Sequence, residues 1–156
     1  MARLKEIKAG YKVVNRKRSA TINAARKFHG HLGPFLVIGV RMGEASIKHL
    51  SLIGNERLDL RANVKVPLQT PFSCLLDGIQ IATTCTIGNQ RLKIENAETI
   101  QATFTTQKEA KALKITINES LSEQLKQKQS QNKLTEELAL EIAEMPENQL
   151  FNITLE

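Results

Sequence analysis

The 156-residue sequence has no tryptophan, one tyrosine, five phenylalanines and only two cysteines. So few aromatics leave little with which to stack unpaired bases, which argues against single-strand nucleic-acid recognition. Two cysteines are too few for a disulfide framework, and no N-terminal stretch pairs an apolar run with a small-residue cleavage site; the expectation is a cytoplasmic protein. Long apolar runs are missing too. The longest, 35–40, is interrupted by Gly39 and stopped by Arg41, far short of the roughly 20 residues that cross a bilayer, so no membrane span is expected. What remains is a chain long enough to bury one core without covalent staples.

The net charge of +6 is unevenly distributed. Residues 1–27 carry nine Lys and Arg against Glu6 alone, whereas residues 28–156 hold 13 basic and 15 acidic groups. The excess therefore reads as a solvated basic N-terminal leader over residues 1–18, followed by one core domain over 19–156. A basic arm can grip phosphates, but the rest of the chain offers no net positive charge, so nucleic acid is not the expected partner.

The core pattern is α+β, an antiparallel sheet packed with helices. Ser19 or Thr21 suits the cap of a first helix over 19–27. Gly33 and Pro34 then suit the start of a second, running to His49, since proline is tolerated at the first helical position. Alternation over 58–66 predicts a strand ending at Pro67, and a third helix is expected over 74–82. Alternating Ile100, Ala102 and Phe104, then Leu113, Ile115 and Ile117, predict an antiparallel hairpin. Helices over 121–128 and 135–143 follow, the second capped by Thr135 and stopped by Pro146, before a terminal strand through Phe151, Ile153 and Leu155.

Groups able to do chemistry near neutral pH are concentrated. His29 and His31 lie in Phe28-His29-Gly30-His31-Leu32-Gly33-Pro34, Cys74 in Ser73-Cys74-Leu75-Leu76-Asp77, and Cys85 in Thr84-Cys85-Thr86-Ile87-Gly88. Imidazole and thiolate are ligands of zinc and related transition metals, which makes these four residues the candidate metal site and zinc the first candidate ion. Two histidines separated by one residue share a side only when the segment is not a continuous helix, and Gly30 permits such a turn. The same pair also suits purely structural histidines. An unbroken helix through Cys85 would separate the two thiols by roughly 16 Å. Thr83, Thr84 and Gly88 predict instead that the helix stops first and the chain folds back.

These motifs, with Leu36-Val37-Ile38-Gly39-Val40-Arg41-Met42-Gly43, Gly78-Ile79-Gln80 and Asn89, resemble the E-subunit family of formylmethanofuran dehydrogenase over roughly residues 20–120. The resemblance implies an α+β core domain, often dimeric, with a metal-binding cleft lined by the His-Gly-His segment and both cysteine segments. Some members add a C-terminal zinc finger of four cysteines, whereas no cysteine follows Cys85 here. Many members have Cys where this sequence has Gly33 and Lys where it has Asn89. The first difference removes a soft ligand, the second a cation able to hold an anionic substrate.

Two function classes follow. One is a small metal-dependent enzyme or redox accessory subunit, within a larger oxidoreductase complex, using His29, His31, Cys74 and Cys85; Asp77 and Gln80 would support the ligands and Thr86 would hydrogen-bond a bound molecule. The alternative is a non-catalytic assembly subunit with a structural metal. A homodimer is also expected, built partly on the second helix, whose stretch 35–42 is apolar almost all round and whose Gly39 and Gly43 permit close approach. A wholly buried core helix is the rival explanation of the same pattern.

Overall fold

The computed structural model describes residues 2–108 and 110–156, with side chains from Arg16 onward. It is an α+β fold in which one face of a five-stranded sheet is covered by helices. The first helix, α1 (Ala2–His29), is far longer than the expected 19–27. Thr21 does not cap it, because its hydroxyl donates to the Lys17 carbonyl one turn back within the same helix. Of residues 1–18, expected as a leader, 2–18 belong to α1 without a break; residue 1 and the side chains of 1–15 lie outside those described.

Helix α2 (Pro34–His49) starts as its Gly33-Pro34 signal predicts, with Gly33 as N-cap. Every residue from Pro34 to Gly43 is buried. The cover comes from the chain itself. Helix α3 (Leu75–Thr83) crosses so closely that a Cβ at Gly39 would run into the Leu75 carbonyl, and one at Gly78 into the Leu36 carbonyl; Gly43 faces Ala82 and Thr83. The expected dimer contact through α2 is therefore corrected: its glycines serve a helix crossing inside one chain, and its apolar girth is that of a core helix.

Strand β1 (Arg61–Val66) buries Ala62, Val64 and Val66 and turns Arg61, Asn63 and Lys65 outward. It is shorter than the expected 58–66, because Gly54–Asp59 winds into a 3-10 turn that leaves Leu58 exposed. After α3 the chain returns as β2 (Leu92–Asn96), which sequence reasoning missed and which pairs parallel to β1. Strands β3 (Gln101–Thr105) and β4 (Ala112–Ile117) form the expected antiparallel hairpin, and β5 (Phe151–Leu155) closes the edge beside β4. The order is β2-β1-β3-β4-β5, antiparallel apart from the β1/β2 pair.

Helices α4 (Glu119–Ser130) and α5 (Glu136–Glu144) match expectation, and the Thr135 hydroxyl accepts from the Leu138 N–H at 3.2 Å. One further turn, α6 (Glu147–Leu150), follows Pro146. The carbonyls at the end of α5 are met by a buried cation: Arg41 Nη1 donates to Ile142, Ala143 and Met145 at 2.9, 3.0 and 2.8 Å. Burial lowers the pKa of this guanidinium to about 10, which still leaves it protonated at neutral pH. Among the described residues, no helix is long and apolar enough to cross a membrane.

Candidate metal and acid-base site

His29 is the last residue of α1, and Gly30, with φ of 100°, makes the turn that ends the helix. The turn brings His31 back beside His29, with ring centroids 4.6 Å apart and planes tilted by 38°. Asp77 reaches the pair from the first turn of α3: its Oδ2 lies 2.6 Å from His29 Nδ1, while Oδ1 accepts from Gln80 Nε2 at 3.3 Å. A carboxylate on Nδ1 favours the tautomer protonated there, which leaves the lone pair on Nε2. That Nε2 is buried and has no hydrogen-bond partner. A buried acceptor without a partner is costly, so its presence is an argument for a ligand.

The thiols occupy opposite ends of α3. Cys74, in the turn that leads into the helix, is half-buried; burial and then the charge of Asp77 raise its pKa, so it is a thiol at neutral pH. The helix stops at Thr83 as predicted, with Thr84 left-handed at its end. The fold-back then carries Cys85 into the core. Its Sγ donates to the Leu60 carbonyl at 3.2 Å, its side chain is fully buried, and burial raises its pKa. A nine-residue helix is about 13 Å long, which sets the scale of the separation between the two cysteines. The structure thus brings His31 and Asp77 each to His29, sets Cys74 one helical turn before Asp77, and holds Cys85 apart in the core. Among the described residues, no three His, Cys, Asp or Glu side chains are gathered closely enough to hold a metal ion.

The segment after Cys85 is knotted by its own polar groups. Asn89 Oδ1 accepts from the N–H groups of Thr86 and Arg91, Asn89 Nδ2 donates to the Thr84 carbonyl, and Thr86 Oγ1 accepts from the Asn89 N–H. Thr86 is thus spent on the loop rather than held out to a ligand. Arg91, unnoticed in the sequence, donates to the carbonyls of Thr84, Arg57 and Leu60 and ties this loop to the entry of β1. An arginine at the head of an unrecognised strand gave no signal. At Gly33, where a Cβ would lie 3.7 Å from His31 Nε2, any side chain would reach the histidine pair directly.

Residues 28–152 match the family model described as "FmdE, Molybdenum formylmethanofuran dehydrogenase operon". A probable S-adenosyl-L-methionine-binding protein of Archaeoglobus fulgidus is 30% identical over 94 residues, covering 60% of this chain and 25% of the relative. The chain thus corresponds to a quarter of that curated relative's length. The crystal structure of a tungsten formylmethanofuran dehydrogenase FmdE-like protein from Syntrophus aciditrophicus superposes with a TM-score of 0.64 at 17% identity, over 89% of this chain and 71% of that one, and so shares the fold. With four-fifths of its length inside the family model, including the His-Gly-His turn, the Asp77 helix and the first four strands of the sheet, this chain belongs to the FmdE family.

Proposed function

We propose that the chain is a metal-binding FmdE domain whose ion rests on the imidazoles of His29 and His31, and that it acts as a small metal-dependent enzyme or redox accessory subunit. The observation that carries this reading is the buried, partnerless Nε2 of His29, aimed by the Asp77 carboxylate on the other ring nitrogen. A carboxylate behind a histidine is the common support of a metal ligand, and the donor set suits zinc or a neighbouring transition metal. Of the two thiols, Cys74, one helical turn before Asp77, is the candidate further ligand; Cys85 joins only by giving up its bond to the Leu60 carbonyl. Bound there, the ion would supply Lewis acidity toward a carbonyl or a water molecule. The protein groups have separate tasks: Asp77 holds the His29 tautomer and Gln80 steadies Asp77.

His31 is exposed, which leaves the centre reachable from solvent and favours chemistry over the alternative of a non-catalytic assembly subunit with a closed structural ion. The family's operon supports a role beside a larger oxidoreductase complex. A homodimer belongs to the same reading, with its interface away from the buried start of α2; exposed Phe28, Ile53, Leu58 and Ile87 are among the apolar side chains available to it.

Elemental analysis tests the site. The expected outcome is close to one transition-metal ion per chain, lost in a His29→Ala, His31→Ala double variant and reduced in Cys74→Ala. Equal metal content in the wild type and the double variant would overturn the assignment. Light scattering on the same preparation reads the expected dimer mass, and a monomer would remove that part of the proposal.

A further inference from the structure

The sheet has one face under the helices and one face open, and the fold sorts charge between them. Seven of the fifteen acids in residues 28–156 lie on α4, α5 and α6: Glu119, Glu123, Glu136, Glu137, Glu141, Glu144 and Glu147. The open face carries the opposite sign. Register places Lys93, Asn63, Thr103 and Lys114 side by side across four strands, with Arg61 and Lys65 on β1 flanking that row. Arg91 stands at one side, its guanidinium bonded to neutral carbonyl oxygens. The middle of this face is a concavity of about 610 Å³, in whose lining Glu95, opposite Lys65, is the sole carboxylate among the described residues. Among those residues, no ion pair neutralises Arg61, Lys65, Lys93 or Lys114.

We propose that this open face binds the phosphate backbone of double-stranded nucleic acid, without sequence preference. Alternate residues on a strand are about 6.6 Å apart and neighbouring strands about 4.8 Å, so the cations form a two-dimensional array reaching some 14 Å from Lys93 to Lys114. The residues between them, Asn63, Gln101, Thr103, Thr105 and Thr116, are the neutral side-chain types that accompany Lys and Arg in phosphate contacts. Other occupants fit less well. A protein partner would meet no aromatic or apolar centre among the described residues of this face. A small organic ligand would find Ala62 as the sole apolar residue of the lining among those described, beside the aliphatic stems of polar side chains, and a single strand no ring on which to stack a base. Summed along the sequence, the charges of residues 28–156 conceal this surface, because the compensating acids lie on helices.

The test is fluorescence anisotropy with a labelled 20-base-pair duplex, titrated with full-length protein from about 50 to 200 mM salt. The wild type should bind with a steep negative dependence on salt. In an Arg61→Gln, Lys65→Gln, Lys93→Gln variant, affinity at low salt should fall at least about tenfold and the log-log slope should flatten by about three, near one unit per lost contact. Circular dichroism checks that these exposed substitutions leave the fold intact. A Lys5→Gln, Lys8→Gln, Lys12→Gln variant measures the N-terminal share separately. The proposal is overturned if the wild type does not bind, if only the N-terminal variant loses affinity, or if single strands bind more tightly than duplex. Competition by sodium triphosphate or polyglutamate as effective as duplex, at equal charge concentration, would also overturn it.

Discussion

At the scale of single residues, the decisive contact is His29 Nδ1 with Asp77 Oδ2 at 2.6 Å. It makes a statement about tautomer that does not depend on any ion. In metal-free protein, Nδ1 should carry the proton and Nε2 should be bare, which long-range proton-nitrogen NMR reads from the Nε2 shift. Asp77→Ala should return His29 to a mixture of tautomers and, once metal is added, weaken its binding by about 10- to 100-fold. A protonated Nε2 in the metal-free wild type would rule out the orientation that the proposed function needs. The residue types of this site were legible in the sequence, because histidine and cysteine are scarce and clustered. Their partners were legible only in part. Asp77 follows Cys74 by one helical turn and was foreseen as support, whereas the commitment of Cys85 to Leu60 depends on how the chain folds back, which local spacing does not specify.

At the scale of elements, the Gly39/Gly78 crossing sets how deeply α3, and with it Asp77, sits against the start of α2. Backbone meets backbone there, so an added methyl group has no flexible neighbour to displace. Gly39→Ala should therefore reach the upper end of overpacking costs, about 3 kcal/mol or more, or about 6–12 °C in Tm for a domain of this size. Thermal melting checks it, and a loss under about 2 °C would mean that the two helices separate easily. Pro34, Thr135 and Pro146 announced their boundaries because caps and prolines act locally. The sequence misled where tertiary context decides. An apolar helix with spaced glycines fits a subunit contact as well as an internal crossing. Leu92 and Ile94 are too few to mark a strand until a neighbour pairs with them, and the basic charge at the start of α1 drew attention away from Leu4, Ile7, Tyr11 and Val14, which recur there at helical spacing.

At the scale of the whole molecule, the fold separates groups that the sequence mixes, and this governs stability against pH as well as surface charge. Both thiols are desolvated and both have raised pKa values, Cys85 the more deeply buried. For such an acid the folded state keeps its proton at a pH where the unfolded chain begins to lose it. The stabilising contribution is therefore complete below the ordinary thiol range near pH 9 and declines as pH rises through it. Arg41 does not reverse the trend over that interval, since a guanidinium with a pKa of about 10 stays largely protonated below it. Denaturant unfolding measured between about pH 7 and pH 10 should show stability falling toward the alkaline end. Cys85→Ala should be less stable at neutral pH, because it removes a packed side chain, yet lose less on going to the alkaline end. A variant whose alkaline decline matches that of the wild type would show that Cys85 ionises as freely in the folded protein as in the unfolded chain, contrary to its burial in the core.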